Sequence, residues 1–135
     1  MKSYITLFIF ILISGLSFGQ CDEIALTTEA NFTADYISDG QTYRALLVDD
    51  QMAEFNSIFF GGTTYRIAAS SGKLNGIVFN VLDQNRNVLF TSSDYQNAEF
   101  WDFKVENTIN CIIEAHLDQS VQNSGCAVVL IGFKE

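Results

Sequence analysis

Ile77-Val78-Phe79-Asn80-Val81-Leu82-Asp83 is followed by four turn formers, Gln84-Asn85-Arg86-Asn87, and then by Val88-Leu89-Phe90-Thr91. Two β-rich runs around a four-residue break predict a hairpin. The first run is apolar at Ile77, Phe79 and Val81 and again at Val78 and Leu82, so neither face can be left to water. Such a strand belongs inside a sandwich rather than at a sheet edge.

The rest of the chain reads as cover for that strand. Gln41 to Val48 alternates after an Asp39-Gly40 turn, Asp49 to Glu54 is a polar connection, and Phe55 to Phe60 is a second strand ended by Gly61-Gly62. Thr63 to Ser70 sets Tyr65, Ile67 and Ala69 against Thr64, Arg66 and Ala68, and Ser71 to Gly76 has the length of a hairpin loop. Ser92 to Ala98 is polar. Glu99 to Glu106 alternates cleanly, with Trp101, Phe103 and Val105 inward and Asp102, Lys104 and Glu106 outward. Asn110 to Leu117 and Cys126 to Phe133 complete the set; the last is apolar on both faces and therefore central. About eight short strands with turn signals between them and almost no helix predict an all-β fold, an antiparallel β-sandwich of jelly-roll type. Cys21 to Gly40 is read as loop with one short helix or an edge strand, the helical character falling on Thr28 to Ile37.

Met1 to Gly19 carries one Lys, an apolar run from Ile5 to Leu16, and Ser17 and Gly19 at the minus three and minus one positions, the pattern of a secretory signal cleaved after Gly19. Its apolar run is shorter than the roughly 20 residues of a membrane span. Gln20, bulky and next to Cys21, argues against a lipid anchor on that cysteine. The expected division is a signal at 1–19 and one domain at 20–135, secreted or periplasmic in a bacterium. With Lys2 removed, six Lys and Arg face 16 Asp and Glu, a net charge of −10. Nucleic acid and anionic membrane surfaces are poor partners for such a chain, because their affinity comes from cations neutralising phosphates.

The cysteines are Cys21, Cys111 and Cys126. If Asn110 to Leu117 and Gly125 to Phe133 form a hairpin, Cys111 and Cys126 lie on the order of 17 Å apart, whereas bridged Cα atoms lie within about 7 Å. A bridge from Cys21 to one of the other two is the expectation, with buried free thiols as its alternative.

Phe60-Gly61-Gly62-Thr63-Thr64-Tyr65-Arg66-Ile67 resembles the "Gly-x-x-Tyr-x-hydrophobic" strand of bacterial pre-peptidase C-terminal domains, and Ile77 to Val88 resembles their next strand with its Asp-closed turn. Thr108 to Glu114 and Gly125 to Ile131 stand where that family has its last two strands, so the resemblance spans Phe59 to Phe133. The family's acidic pair before the central strand is replaced by Leu74-Asn75-Gly76, and its penultimate-strand Gly and Tyr by Ile109 and Cys111. The resemblance implies a β-sandwich accessory module of exported proteins, with binding or stabilising roles and no catalysis.

Asp83 to Asn87, with Asp94 eleven residues after Asp83, copies the opening of a calcium loop, but Val88 replaces the Gly of the sharp turn and Asp94 the bidentate Glu. Asx residues closing a hairpin turn explain it better. Glu114, His116 and Asp118 alternate and would share one strand face, the one place where metal-ligating or acid-base chemistry concentrates. The reading preferred for them is a solvated face backed by Cys111, Ile113, Ala115 and Leu117. His116 is the only histidine, no Gly-x-Ser-x-Gly occurs, and no Gly-rich loop opens a helix. The expected function is therefore a non-enzymatic module that needs no cofactor or metal and binds a protein or carbohydrate partner through Ser92 to Ala98 and Asp118 to Ser124, where Tyr95 is the expected exposed aromatic. The alternatives are a small hydrolase centred on Glu114 and His116 and a purely structural envelope component.

Overall fold

In a computed structural model of the chain, residues 20–134 are described; the expected leader at 1–19 lies outside them. Eight strands form two four-stranded antiparallel sheets. They are β1 (Ile37–Val48), β2 (Met52–Phe59), β3 (Thr63–Ser70), β4 (Ile77–Leu82), β5 (Val88–Thr91), β6 (Phe100–Val105), β7 (Ile109–Leu117) and β8 (Ser124–Lys134). One sheet has the order β1-β8-β3-β6 and the other β2-β7-β4-β5. The chain passes from sheet to sheet at every connection but one, as jelly rolls do. The exception is the β4–β5 hairpin that the Gln84 to Asn87 break predicts.

The predicted hairpin of the last two strands does not form. β7 and β8 lie in different sheets, β7 between β2 and β4 and β8 between β1 and β3. The Ser71 to Gly76 loop likewise crosses between sheets. Turn residues reveal a reversal of direction, but not whether the next strand pairs with its predecessor or packs across from it.

Between the sheets, alternate residues interlock. Ile67, Phe79, Ile113 and Val129 are buried at its centre, and Phe90 closes one open side by packing on Phe79, Trp101 and Phe103 at centroid distances of 5.4, 5.2 and 5.0 Å. Each such aromatic side chain buries roughly 150–250 Å² and dominates the energetics of its neighbourhood.

The N-terminal segment departs from expectation. Helix α1 spans 20–29, ahead of the expected helical stretch, and Asp39-Gly40 is no turn. It lies within β1, where the register against β8 slips between Ser38 and Thr42 and Gly40 takes the positive φ of 84° that its missing Cβ permits. Cys21, Ile24, Ala25 and Thr28 make an i, i+3, i+4, i+7 stripe facing the outer surface of β8. Cys21 and Ala25 pack there on Cys126, Val128 and Leu130, with Ile24 and Phe32 alongside. Below Phe32, Arg66 is held between the rings of Tyr36 and Phe100, 4.2 and 4.5 Å from their centroids, while its guanidinium pairs with both oxygens of Asp102.

A disulfide joins Cys21 to Cys126 with Cα atoms 5.6 Å apart, and Cys111 is a buried free thiol. The expected bridge from Cys21 is present, but Cys111 fails to reach Cys126 because the two strands belong to different sheets. Removing a crosslink across 105 residues releases the entropy of nearly the whole unfolded chain. The double variant Cys21→Ser/Cys126→Ser should lose about 2–5 kcal/mol of unfolding free energy in urea titrations, with amide exchange rising first in helix α1.

Candidate functional site

Of the three candidates from the sequence, Glu114 and His116 share one face of β7 as expected, and Asp118 falls outside the strand. Glu114 is buried on the outer face of the β2-β7-β4-β5 sheet, level with Glu54 and Asn80. His116 follows on that face, between Met52 and Val78, and Asp118 lies beyond the strand end. The face is not the freely solvated one expected: Glu114 is buried and His116 half-buried. His116 lines none of the four clefts at Phe59–Cys111, Thr42–Val129, Leu74–Asp102 and Gln20–Cys126.

What covers Glu114 is Arg86, from the turn between β4 and β5. Its Nη1 donates to Glu54 Oε1 at 2.7 Å and its Nη2 to Glu114 Oε2 at 3.3 Å. The row Asn56–Ile112–Leu82 lies between the turn and the row Glu54–Glu114–Asn80, so the aliphatic stem of Arg86 must cross Ile112 and Leu82, both buried. The turn that launches it is an Asx turn. Asp83 Oδ1 accepts from the amides of Asn85 and Asn87 and Oδ2 from the Asn87 side chain, which hold its carboxyl below the usual carboxylate range.

Two further places come into question for chemistry by their side chains, the Cys111 thiol and the crevice beside it. Burial pushes the Cys111 thiol up, away from the thiolate that a nucleophile needs. A crevice of about 540 Å³ opens between the β5 and β6 edges beside it, walled mainly by Phe59, Val81, Leu89, Phe103 and Ile109, with Lys104 and Glu106 the charged residues of its lining. Among the described residues, no three His, Cys, Asp or Glu side chains converge as metal ligands.

The loops at one end of the sandwich are where the structure builds a surface. Four connections meet there: 49–51, 71–76, 92–99 and 118–123. Asn97 Nδ2 donates to the Asn75 carbonyl at 2.9 Å and to Asp118 Oδ2 at 2.7 Å. The Asp118 amide donates to the Gly76 carbonyl, and the Asp49 amide to the Asn123 carbonyl. The Ser71 hydroxyl donates to Gln122 Oε1 at 2.6 Å. Gly76 leaves room for this bond: a Cβ would stand 2.5 Å from Ser71 Oγ and 2.7 Å from Gln122 Oε1 and would push the pair apart.

Four of the five non-glycine residues with positive φ among the described residues, Asp49, Asn75, Gln96 and Asn97, belong to this end. Backbone held in that region persists only where its surroundings enforce it, and such positions gather at binding and catalytic sites. Leu74 projects from the cluster at 75% exposure and Tyr95 at 49%, the latter braced against Trp101 at 4.1 Å. Beside them a groove of about 630 Å³ runs over Leu74, Ala98, Phe100 and Trp101. Asp49, Asp50, Asp94, Glu99 and Asp118 outnumber Lys73, the sole cation of the four loops. Tyr95 and two of the loops were legible in the sequence. The connection after Asp49 was legible as such, but not its place in this surface, nor the parts of Leu74 and Asn97, although Asn in a polar loop is a standing signal for left-handed backbone.

A crystal structure of PliG from Aeromonas hydrophila, a periplasmic lysozyme inhibitor of g-type lysozyme, superposes with a TM-score of 0.50 at 9% sequence identity, over 76% of this chain and 90% of that one. At that identity the likeness is one of fold, and it agrees with the all-β sandwich. No protein-family model and no curated protein sequence matches the chain. No helix among the described residues is long and apolar enough to cross a membrane, and the Cys21–Cys126 bridge fits an exported protein.

Two measurements follow from this geometry. Asp118 is held below the ordinary carboxylate value of 3.8 by the Ser120 hydroxyl and amide and then by Asn97. A depressed carboxyl stabilises the fold above its unfolded value and loses that contribution as pH falls through the folded one, so the loop end should loosen only below the usual carboxylate range. Carboxyl NMR titration should show Asp118 protonating late, and Asn97→Gly, which keeps the backbone free to take positive φ, should move it upward. Separately, Arg86→Ala strands the buried Glu114 charge and should cost about 1–3 kcal/mol of stability; adding Glu114→Gln should restore most of it in denaturant titrations.

Proposed function

We propose that the chain is a non-enzymatic, exported binding module whose loop end docks on a basic protein. The observation that carries this reading is the loop end itself: four connections hydrogen-bonded into one unit, with exposed Leu74 and Tyr95 and an acidic rim. A surface whose backbone is already fixed loses little freedom on binding, so more of its contact energy appears as affinity. Five acids against one cation steer it toward a positively charged partner. The partner class proposed is a lysozyme of the g type, on the strength of the fold shared with PliG. The resemblance to pre-peptidase C-terminal modules supports the same broad class, an accessory domain without catalysis.

The test is calorimetric titration of the purified, oxidised chain into g-type lysozyme, with lysis of cell walls followed in parallel. Binding should weaken as salt screens the acidic rim. Tyr95→Ala and Leu74→Ala should each weaken it about tenfold, while Phe60→Ser at the opposite end leaves it unchanged. Absence of binding at low salt, or binding indifferent to Tyr95 and Leu74, would remove the proposal.

A further inference from the structure

Four strand edges bound the two sheets, and three of them carry devices that discourage pairing with another chain. β1 has the Gly40 bulge and an outward Arg44. β5 is four residues long, with a register shift opposite β4. β6 presents Asp102 and Lys104 alternately on its outer face. β2 has no bulge, no register shift and no cation. Its eight residues run against β7 in unbroken register from Met52 to Phe59, with no Pro, Gly, Lys or Arg. Its outer-face residues Met52, Glu54, Asn56 and Ile58 are all exposed, Met52 at 48% and Ile58 at 53%. Its single charge, Glu54, is already neutralised by Arg86.

We infer that the β2 edge is an interface between two copies of this chain, joined as antiparallel β2 strands about a two-fold axis at Phe55. The occupant is argued from register. Directly opposed residues of antiparallel strands share a face, so the axis must pass through a residue and each register can be checked. Centring on Glu54 sets that carboxylate against its own copy. Centring on Asn56 sets Ile58 against Glu54. Centring on Phe55 sets exposed Met52 against exposed Ile58 on both sides of the axis, Glu54 against Asn56, and Ala53 against Ser57. It is the self-complementary register that a two-fold interface requires. The sheets of the two copies become one of eight strands, and the two loop ends point in opposite directions, each free for its own partner.

Sedimentation of the purified, oxidised chain tests this. A monomer–dimer equilibrium is expected that strengthens with salt, because the two acidic copies repel; this is the opposite of the salt response expected for docking on a basic protein. Ile58→Lys should weaken the dimer at least about tenfold, and Val88→Lys, on the far edge of the same sheet, should leave it unchanged. Should Ile58→Lys fail to fold, hydrogen exchange on the native chain decides: the β2 amides that point away from β7 should be protected at high concentration and exchange freely on dilution. A chain that stays monomeric at its highest soluble concentration, a dimer indifferent to Ile58→Lys, or β2 amides whose exchange ignores concentration overturns the inference.

Discussion

A strand that is apolar on both faces must be covered on both, and β8 imposes that requirement on this molecule. Ala127, Val129 and Ile131 face the inter-sheet core, while Cys126, Val128 and Leu130 face the other way. A two-layer sandwich satisfies only the first set. The second is met by helix α1, whose Cys21, Ile24 and Ala25 stripe lies over it and whose position is pinned by the disulfide to Cys126. The crosslink and the apolar contact act on the same few residues, so a ten-residue helix too short to hold its shape in water is kept by tertiary contact. Phe32, Tyr36 and Arg66 extend this third layer toward the start of β1.

The opposite sheet meets the same requirement differently. Val78, Leu82 and Ile112 point away from the core on interior strands, and no helix is packed over them among the described residues. A long cationic side chain does part of a helix's work: Arg86 reaches from the β4–β5 turn across this face and ends on two carboxylates. The residues that looked most like chemistry, Glu114 above all, are thereby engaged in holding a surface together. Function moves to where the backbone, rather than a titratable cluster, is unusual. At the loop end the chain departs from ordinary backbone conformations four times, and at Asp49, Asn75 and Asn97 hydrogen bonds between segments distant in sequence secure the departure.

Much of the fold was legible locally. The alternation of β6, the hairpin from Ile77 to Thr91, the extent of β3 and the interior placement of β4 and β8 all follow from which residues repeat at a spacing of two. The pairing of β7 with β2 and β4 instead of β8 was not legible, and neither was helix α1. Its stripe is made of Cys, Ala and Thr beside one Ile, too little apolar contrast to stand out until the surface it covers is known. Met52 to Glu54 read as polar connection because Glu54 hides its strand character; its partner Arg86 lies 32 residues away.

Sequence alone determined that this chain is an acidic assembly of short strands, with one strand on each sheet that tolerates no water, because side-chain alternation and turn chemistry are properties of neighbouring residues. Tertiary structure decided which strands pair, which cysteine Cys21 finds, and which polar residues are spent on cover. It also decided that Asn75, Asn97 and Asp118 form one surface. Those outcomes depend on contacts between segments tens of residues apart, and such contacts leave no period in the sequence to read.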